Sequence, residues 1–172
     1  MQTSLLILIV AVCSLASVAN GSVQNIGDPS AGVVRIENTN PKIKETGAGF
    51  IVKIKGDDVY VVTASHVVRG DQHPKVYFFN DGFIPFRGEV LHQEEDDLKG
   101  LALVKVIAKE GISKFRALNL VSAAGFGKGE LVKIIGFPGT SLWTIDTRKV
   151  IRQERRNLVL TEIIKQGYSG GP

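Results

Sequence analysis

Val61-Val62-Thr63-Ala64-Ser65-His66-Val67-Val68 is an apolar run that closes on a lone histidine, and roughly 100 residues later the chain reads Gly167-Tyr168-Ser169-Gly170-Gly171-Pro172. The two stretches belong together chemically. Glycines on both sides of Ser169 let backbone N–H groups turn toward one point beside its hydroxyl, where developing negative charge would be stabilised. His66 is a group that can take the serine proton near neutral pH. Together they form the skeleton of a serine-nucleophile site.

Working outward from them, short apolar, β-branched runs predict strands over 32–37, 48–54, 59–63, 75–79, 86–91, 101–107, 131–135, 144–153 and 158–163. Asp57-Asp58 and Asn80-Asp81-Gly82 are turn signals between consecutive runs. No long stretch carries a 3.6-residue period, so the pattern predicts an all-β barrel or sandwich. A connector over 108–120 divides the chain into two halves.

The composition is that of a globular protein: 44% of residues are hydrophobic and 22% charged, which excludes a disordered chain. An uncharged apolar run over 5–19 is too short for a comfortable membrane span and ends in small residues. Residues 1–19 are therefore expected to be a cleaved signal peptide, leaving no stable membrane span and a secreted or periplasmic protein. The single cysteine, Cys13, lies inside that run, so the mature chain is expected to hold its fold without a disulfide. Arg148, Lys149, Arg152, Arg155 and Arg156 form a basic cluster, read as a solvated hairpin edge that resists pairing. His73 and His92 lack partners at metal-ligand spacing, so neither a metal nor another cofactor is expected. Nothing resembles a phosphate loop or a nucleic-acid module. Trp143 is expected in a barrel core.

In this order the motifs resemble those of the chymotrypsin-fold (trypsin-like) serine proteases, and within them the disulfide-free HtrA/Deg-like branch. Gly47-Ala48-Gly49-Phe50-Ile51 is similar to the family's Gly-Ser-Gly-Phe strand, and the run ending at His66 to the strand and turn that carry its catalytic histidine. Leu101-Ala102-Leu103-Val104 is similar to the strand that follows its aspartate. Ile135-Gly136-Phe137-Pro138-Gly139 is similar to a segment of its second barrel, and Gly167 to Pro172 to its nucleophile loop. The resemblance covers roughly residues 31–172. It implies two antiparallel six-stranded β-barrels, with an N-terminal lobe over 31–108 and a C-terminal lobe over 116–172. The chain stops three residues after Ser169, so the second barrel is expected to be incomplete.

The implied activity is that of a serine endopeptidase acting on polypeptides. Ser169 would attack the scissile carbonyl, and His66 would act first as base and then as acid toward the leaving amine. The N–H groups of Gly167 and Ser169 would form the oxyanion hole. The third member departs from the family, because Gly100 stands where relatives carry the aspartate. Asp97 is the preferred orienter of His66 and Asp96 the alternative; otherwise the triad is broken. Tyr168, where relatives carry Asn or Asp, is expected to stand clear of the chemistry. Ile163 falls near the floor of the primary substrate pocket by resemblance and implies aliphatic P1 residues. The rival reading is a catalytically inactive protein of the same fold that binds polypeptides.

Overall fold

The structure is a computed structural model and describes residues 28–79, 84–94, 100–109, 114–120, 126–139, 143–154, 157–162 and 166–172. The expected signal peptide therefore lies outside the described residues. The strands are β1 (Val33–Glu37), β2 (Thr46–Lys55), β3 (Asp58–Ala64), β4 (Lys75–Phe78), β5 (Phe86–Gln93), β6 (Leu101–Ile107), β7 (Leu131–Gly136), β8 (Thr144–Glu154) and β9 (Asn157–Leu160). Among the described residues no helix is long and apolar enough to cross a membrane.

Strands β1 to β6 close into an antiparallel barrel in the order β1-β2-β3-β6-β5-β4, with β4 returning to β1 through Val34↔Phe78 and Ile36↔Val76. Closure follows from alternation. Along β3, Val59, Val61 and Thr63 are buried while Tyr60, Val62 and Ala64 are only partly so. Val59 and Val61 meet Val34, Ile36, Ile51, Val76, Phe78, Val104 and Val106 inside the barrel. Each such valine or isoleucine stabilises the barrel by about 1.5–3 kcal/mol relative to exposure. The Phe78 ring stacks on Phe115 with centroids 4.1 Å apart, which fastens the connector to the barrel core. Register shifts between Ile51 and Lys53 and between Val90 and His92 mark bulges, the devices that let long strands curve into a barrel.

The second half contributes a three-stranded antiparallel sheet, β7-β8-β9, among the described residues. Its apolar face gathers Val132, Ile134, Val150, Leu158 and Tyr168. Barrel and sheet join through a separate cluster of Val33, Ala48, Ile135 and Phe137. Trp143 belongs to this junction rather than to a barrel core. It is half-buried, its ring lies edge-on to Phe79 and Phe137, and its indole N–H donates to the Val33 carbonyl at 2.9 Å. An indole needs a place that is apolar on its flanks and polar at its tip, and the seam supplies both.

Candidate active site

Strand β3 stops at Ala64 and the chain turns through one 3₁₀ turn, Ser65–Val68. Val67 and Val68 are fully buried, which leaves His66 half-buried between them and Ser65. The turn is pinned on both sides. The buried Asn38 side chain donates from Nδ2 to the Val67 carbonyl at 3.1 Å and to the Arg69 carbonyl at 2.9 Å. On the other side Ser65 N–H donates to the Gly100 carbonyl at 2.8 Å, and Ser65 Oγ donates to the Glu94 carbonyl at 2.8 Å.

Glu94 and Gly100 are thus both bonded to the residue directly ahead of His66. The sequence joining them carries Asp96 and Asp97, which lie outside the described residues. His66 Nδ1 is buried and has no hydrogen-bond partner among the described residues. Its other ring nitrogen, Nε2, faces the Glu45 carboxylate at 3.7 Å. A buried nitrogen without a partner costs about 1–3 kcal/mol, so Nδ1 is a position that calls for an acceptor.

The serine loop comes from the opposite end of the chain and is held by backbone. Ser169 accepts from the Ala48 N–H of β2 at 2.8 Å, Gly167 accepts from Phe137 N–H at 3.0 Å, and Pro172 accepts from Ile135 N–H at 3.3 Å. Gly167 (φ +103°) and Gly170 (φ +80°) adopt left-handed backbone, and both are hemmed in. A Cβ at Gly170 would overlap Thr63 Oγ1 and the Ala48 carbonyl; one at Gly167 would overlap the Phe137 carbonyl. Among the described residues, the N–H groups of Gly167 and Ser169 donate to no backbone carbonyl.

Gly47 is where the two halves of the site meet. A Cβ there would run into a Val67 methyl at 2.5 Å and the Ser169 carbonyl at 2.8 Å. The residue after His66 and the backbone of Ser169 therefore rest on one point of β2. The fold brings His66, Gly167 and Ser169 into one region. Ile163, expected at the substrate pocket, lies outside the described residues.

Three contributors were not singled out as such in the sequence. Tyr168 is 2% exposed, packs in the core of the second sheet and donates its hydroxyl to Asp146 Oδ2 at 2.8 Å. Burial first, and then the bond to Asp146, push its pKa well above the ordinary tyrosine value. The side chain is taken up by the core of the second sheet, and it anchors the loop that carries Ser169. Asn38 opens the turn-rich run Asn38-Thr39-Asn40-Pro41, a signal that marks a loop without showing what the loop packs against. Glu45 gave no local signal.

The remaining candidates lie elsewhere. His73 Nδ1 contacts the Gly88 carbonyl at 3.3 Å, and His92 is exposed on β5. Arg148 pairs with Asp146 at 2.9 Å and Arg152 with Glu154, while Lys149 and Arg152 are exposed on β8. Among the described residues no group of three or more His, Cys, Asp or Glu could hold a metal ion.

A closed β-barrel joined to a second sheet, with histidine and serine loops meeting at their seam, is the architecture of a trypsin-like serine protease. The chain belongs to the trypsin-like peptidase domain family, which residues 47–172 match. It is 27% identical over 150 residues to an HtrA-like serine protease of Staphylococcus aureus, covering 81% of this chain and 19% of that protein. The chain thus spans about one fifth of the length of the curated relatives it matches. Among solved structures it is similar to a serine endoprotease from Yersinia pestis, with 26% identity and a TM-score of 0.64 over 83% of this chain and 49% of that one. The inactive form of the Rv3671c protease of M. tuberculosis shares the fold, with 21% identity and a TM-score of 0.65 over 84% of this chain and 72% of that one.

Proposed function

We propose that the chain is the peptidase domain of a serine endopeptidase that cleaves exposed or unfolded polypeptides through an acyl-enzyme. The observation that carries this reading is the meeting of the His66 turn and the Ser169 backbone on Gly47 and Ala48 of β2. Ser169 Oγ attacks the scissile carbonyl while His66 takes its proton, and His66 then returns that proton to the departing amine. Water repeats the sequence on the acyl-enzyme, releasing the acid and the free serine. Among the described residues the Gly167 and Ser169 N–H groups meet no backbone acceptor, and they suit the oxyanion, each donor contributing about 10²–10³ in rate.

Asp97 is the orienter of His66 in this proposal. The bonds from Ser65 to Glu94 and Gly100 support it, since they tie both flanks of the acidic stretch beside His66, whose Nδ1 has no acceptor among the described residues. Ile163 gives the primary pocket its preference for aliphatic residues, and residues 1–19 direct the protein out of the cytoplasm.

The second reading, an inactive polypeptide-binding member of the family, is favoured by one observation: Gly100 stands where the family carries its aspartate. Incubation with a reduced, unfolded protein separates the two. New N-termini appear with wild type and not with Ser169→Ala under the first reading. Binding without new N-termini, equal in both proteins, establishes the second.

A further inference from the structure

Glu45 takes no part in the chemical steps proposed above, yet among the described residues its carboxylate is the one that faces Nε2 of the histidine. Its Oε1 stands 3.7 Å from His66 Nε2, and no other described carboxylate comes within ion-pair reach of His66. The Glu45 side chain is 26% exposed, against 12% for His66, so a molecule docking over the histidine would reach it.

Its placement is built. Lys44, the residue before it, has φ +47°, a left-handed conformation that a side-chain-bearing residue adopts at a cost. Lys44 N–H donates to the Asn40 carbonyl at 3.2 Å, and Asn38 N–H donates to the Glu45 carbonyl at 2.8 Å. Two residues further on, Gly47 lies so near the Ser169 carbonyl that a Cβ there would overlap it. The turn that Lys44 strains therefore delivers a carboxylate to the rim of the site.

Nε2 is the atom that hands the proton to the departing amine, so a group beside Nε2 flanks the half of the substrate that leaves. We infer that Glu45 is a specificity-determining residue that selects a cationic side chain, Lys or Arg, immediately after the scissile bond. This inference rests on the reading of the chain as a peptidase. A partly exposed carboxylate meeting a substrate ammonium or guanidinium discriminates by about 2- to 5-fold, and an acidic residue at the same place is disfavoured to a similar degree.

The test is to digest a proteome-derived peptide library with the full chain as wild type, Glu45→Gln and Glu45→Lys, reading the residue after each cut by mass spectrometry. Wild type is expected to enrich Lys and Arg after the cut about 2- to 5-fold. Glu45→Gln should lose the enrichment and Glu45→Lys should turn it toward Asp and Glu. A residue that only steadied the His66 ring would slow all cuts alike and leave the profile unchanged. Cuts by wild type without the enrichment, or one profile shared by all three proteins, overturn this inference and leave the peptidase reading standing. Absence of cuts together with absence of covalent labelling at Ser169 overturns both.

Discussion

The Tyr168 hydroxyl donates to Asp146 Oδ2 at 2.8 Å, so the residue directly ahead of Ser169 is tied to the first part of β8. Asp146 in turn holds an Arg148 guanidinium nitrogen at 2.9 Å. The Tyr168 ring fills the space a side chain at position 136 would need, which is why β7 ends on a glycine there. The serine loop is therefore set by packing in the second sheet as well as by its bonds to the barrel.

Tyr168→Phe keeps the ring and removes the hydroxyl, leaving Asp146 with Arg148. The loss is expected to be about 1–2 kcal/mol of unfolding free energy by urea titration. The Ser169 acylation rate should fall too, by roughly tenfold, because the anchor sits between the two proposed oxyanion donors.

Alkaline pH gives an independent reading of the same contact. Burial and Asp146 raise the folded-state pKa of Tyr168, so the unfolded chain releases this proton first as pH rises. The stabilisation is fully present below the ordinary tyrosine value of 10.0 and is lost as pH climbs above it. Wild type should lose up to about 1.4 kcal/mol per pH unit from this group, and Tyr168→Phe should show a flatter decline. Parallel declines in the two proteins would contradict the assignment.

Gly170→Ala tests the meeting of serine loop and barrel. The added methyl would overlap Thr63 Oγ1 and the Ala48 carbonyl, and φ +80° is unfavourable for alanine. A destabilisation of about 2–4 kcal/mol is expected, with loss of Ser169 labelling in whatever folded fraction remains. A melting temperature equal to wild type would show that the loop is not seated as described.

Asn38→Ala strips the acceptors Val67 O and Arg69 O of their shared donor beneath His66. About 1–3 kcal/mol should be lost, since the buried Val67 carbonyl loses its donor. Acylation should slow as the turn loosens. Asn38→Asp replaces the donor with an acceptor and should be worse than alanine.

The strands were legible because each buries alternate residues against one core. The runs predicted over 59–63 and 101–107 match β3 and β6 to within a residue, and those two strands pair along their whole lengths. Where a run faces solvent at its end, the boundary moved: the strand predicted over 158–163 ends at Leu160 in the structure. His66, Gly167 and Ser169 stand out as candidates in the sequence because the proposed chemistry requires particular residue types next to one another. Tyr168–Asp146, Asn38–Val67 and Glu45–His66 join residues about 20 to 30 positions apart, and no local period or turn rule encodes such pairs. Trp143 was misplaced for a related reason. Its apolar character signals burial, but the seam between barrel and sheet exists only once both have folded.

The central claim, that Ser169 is a nucleophile activated by His66, is tested most directly by the intact mass of the protein after exposure to a fluorophosphonate. One adduct per chain is expected in wild type, none in Ser169→Ala, and little in His66→Ala. In Asp97→Ala, where the imidazole loses its proposed orienter, the rate is expected to fall about 10⁴-fold. A folded wild type that remains unmodified, or an adduct that persists in Ser169→Ala, would contradict it.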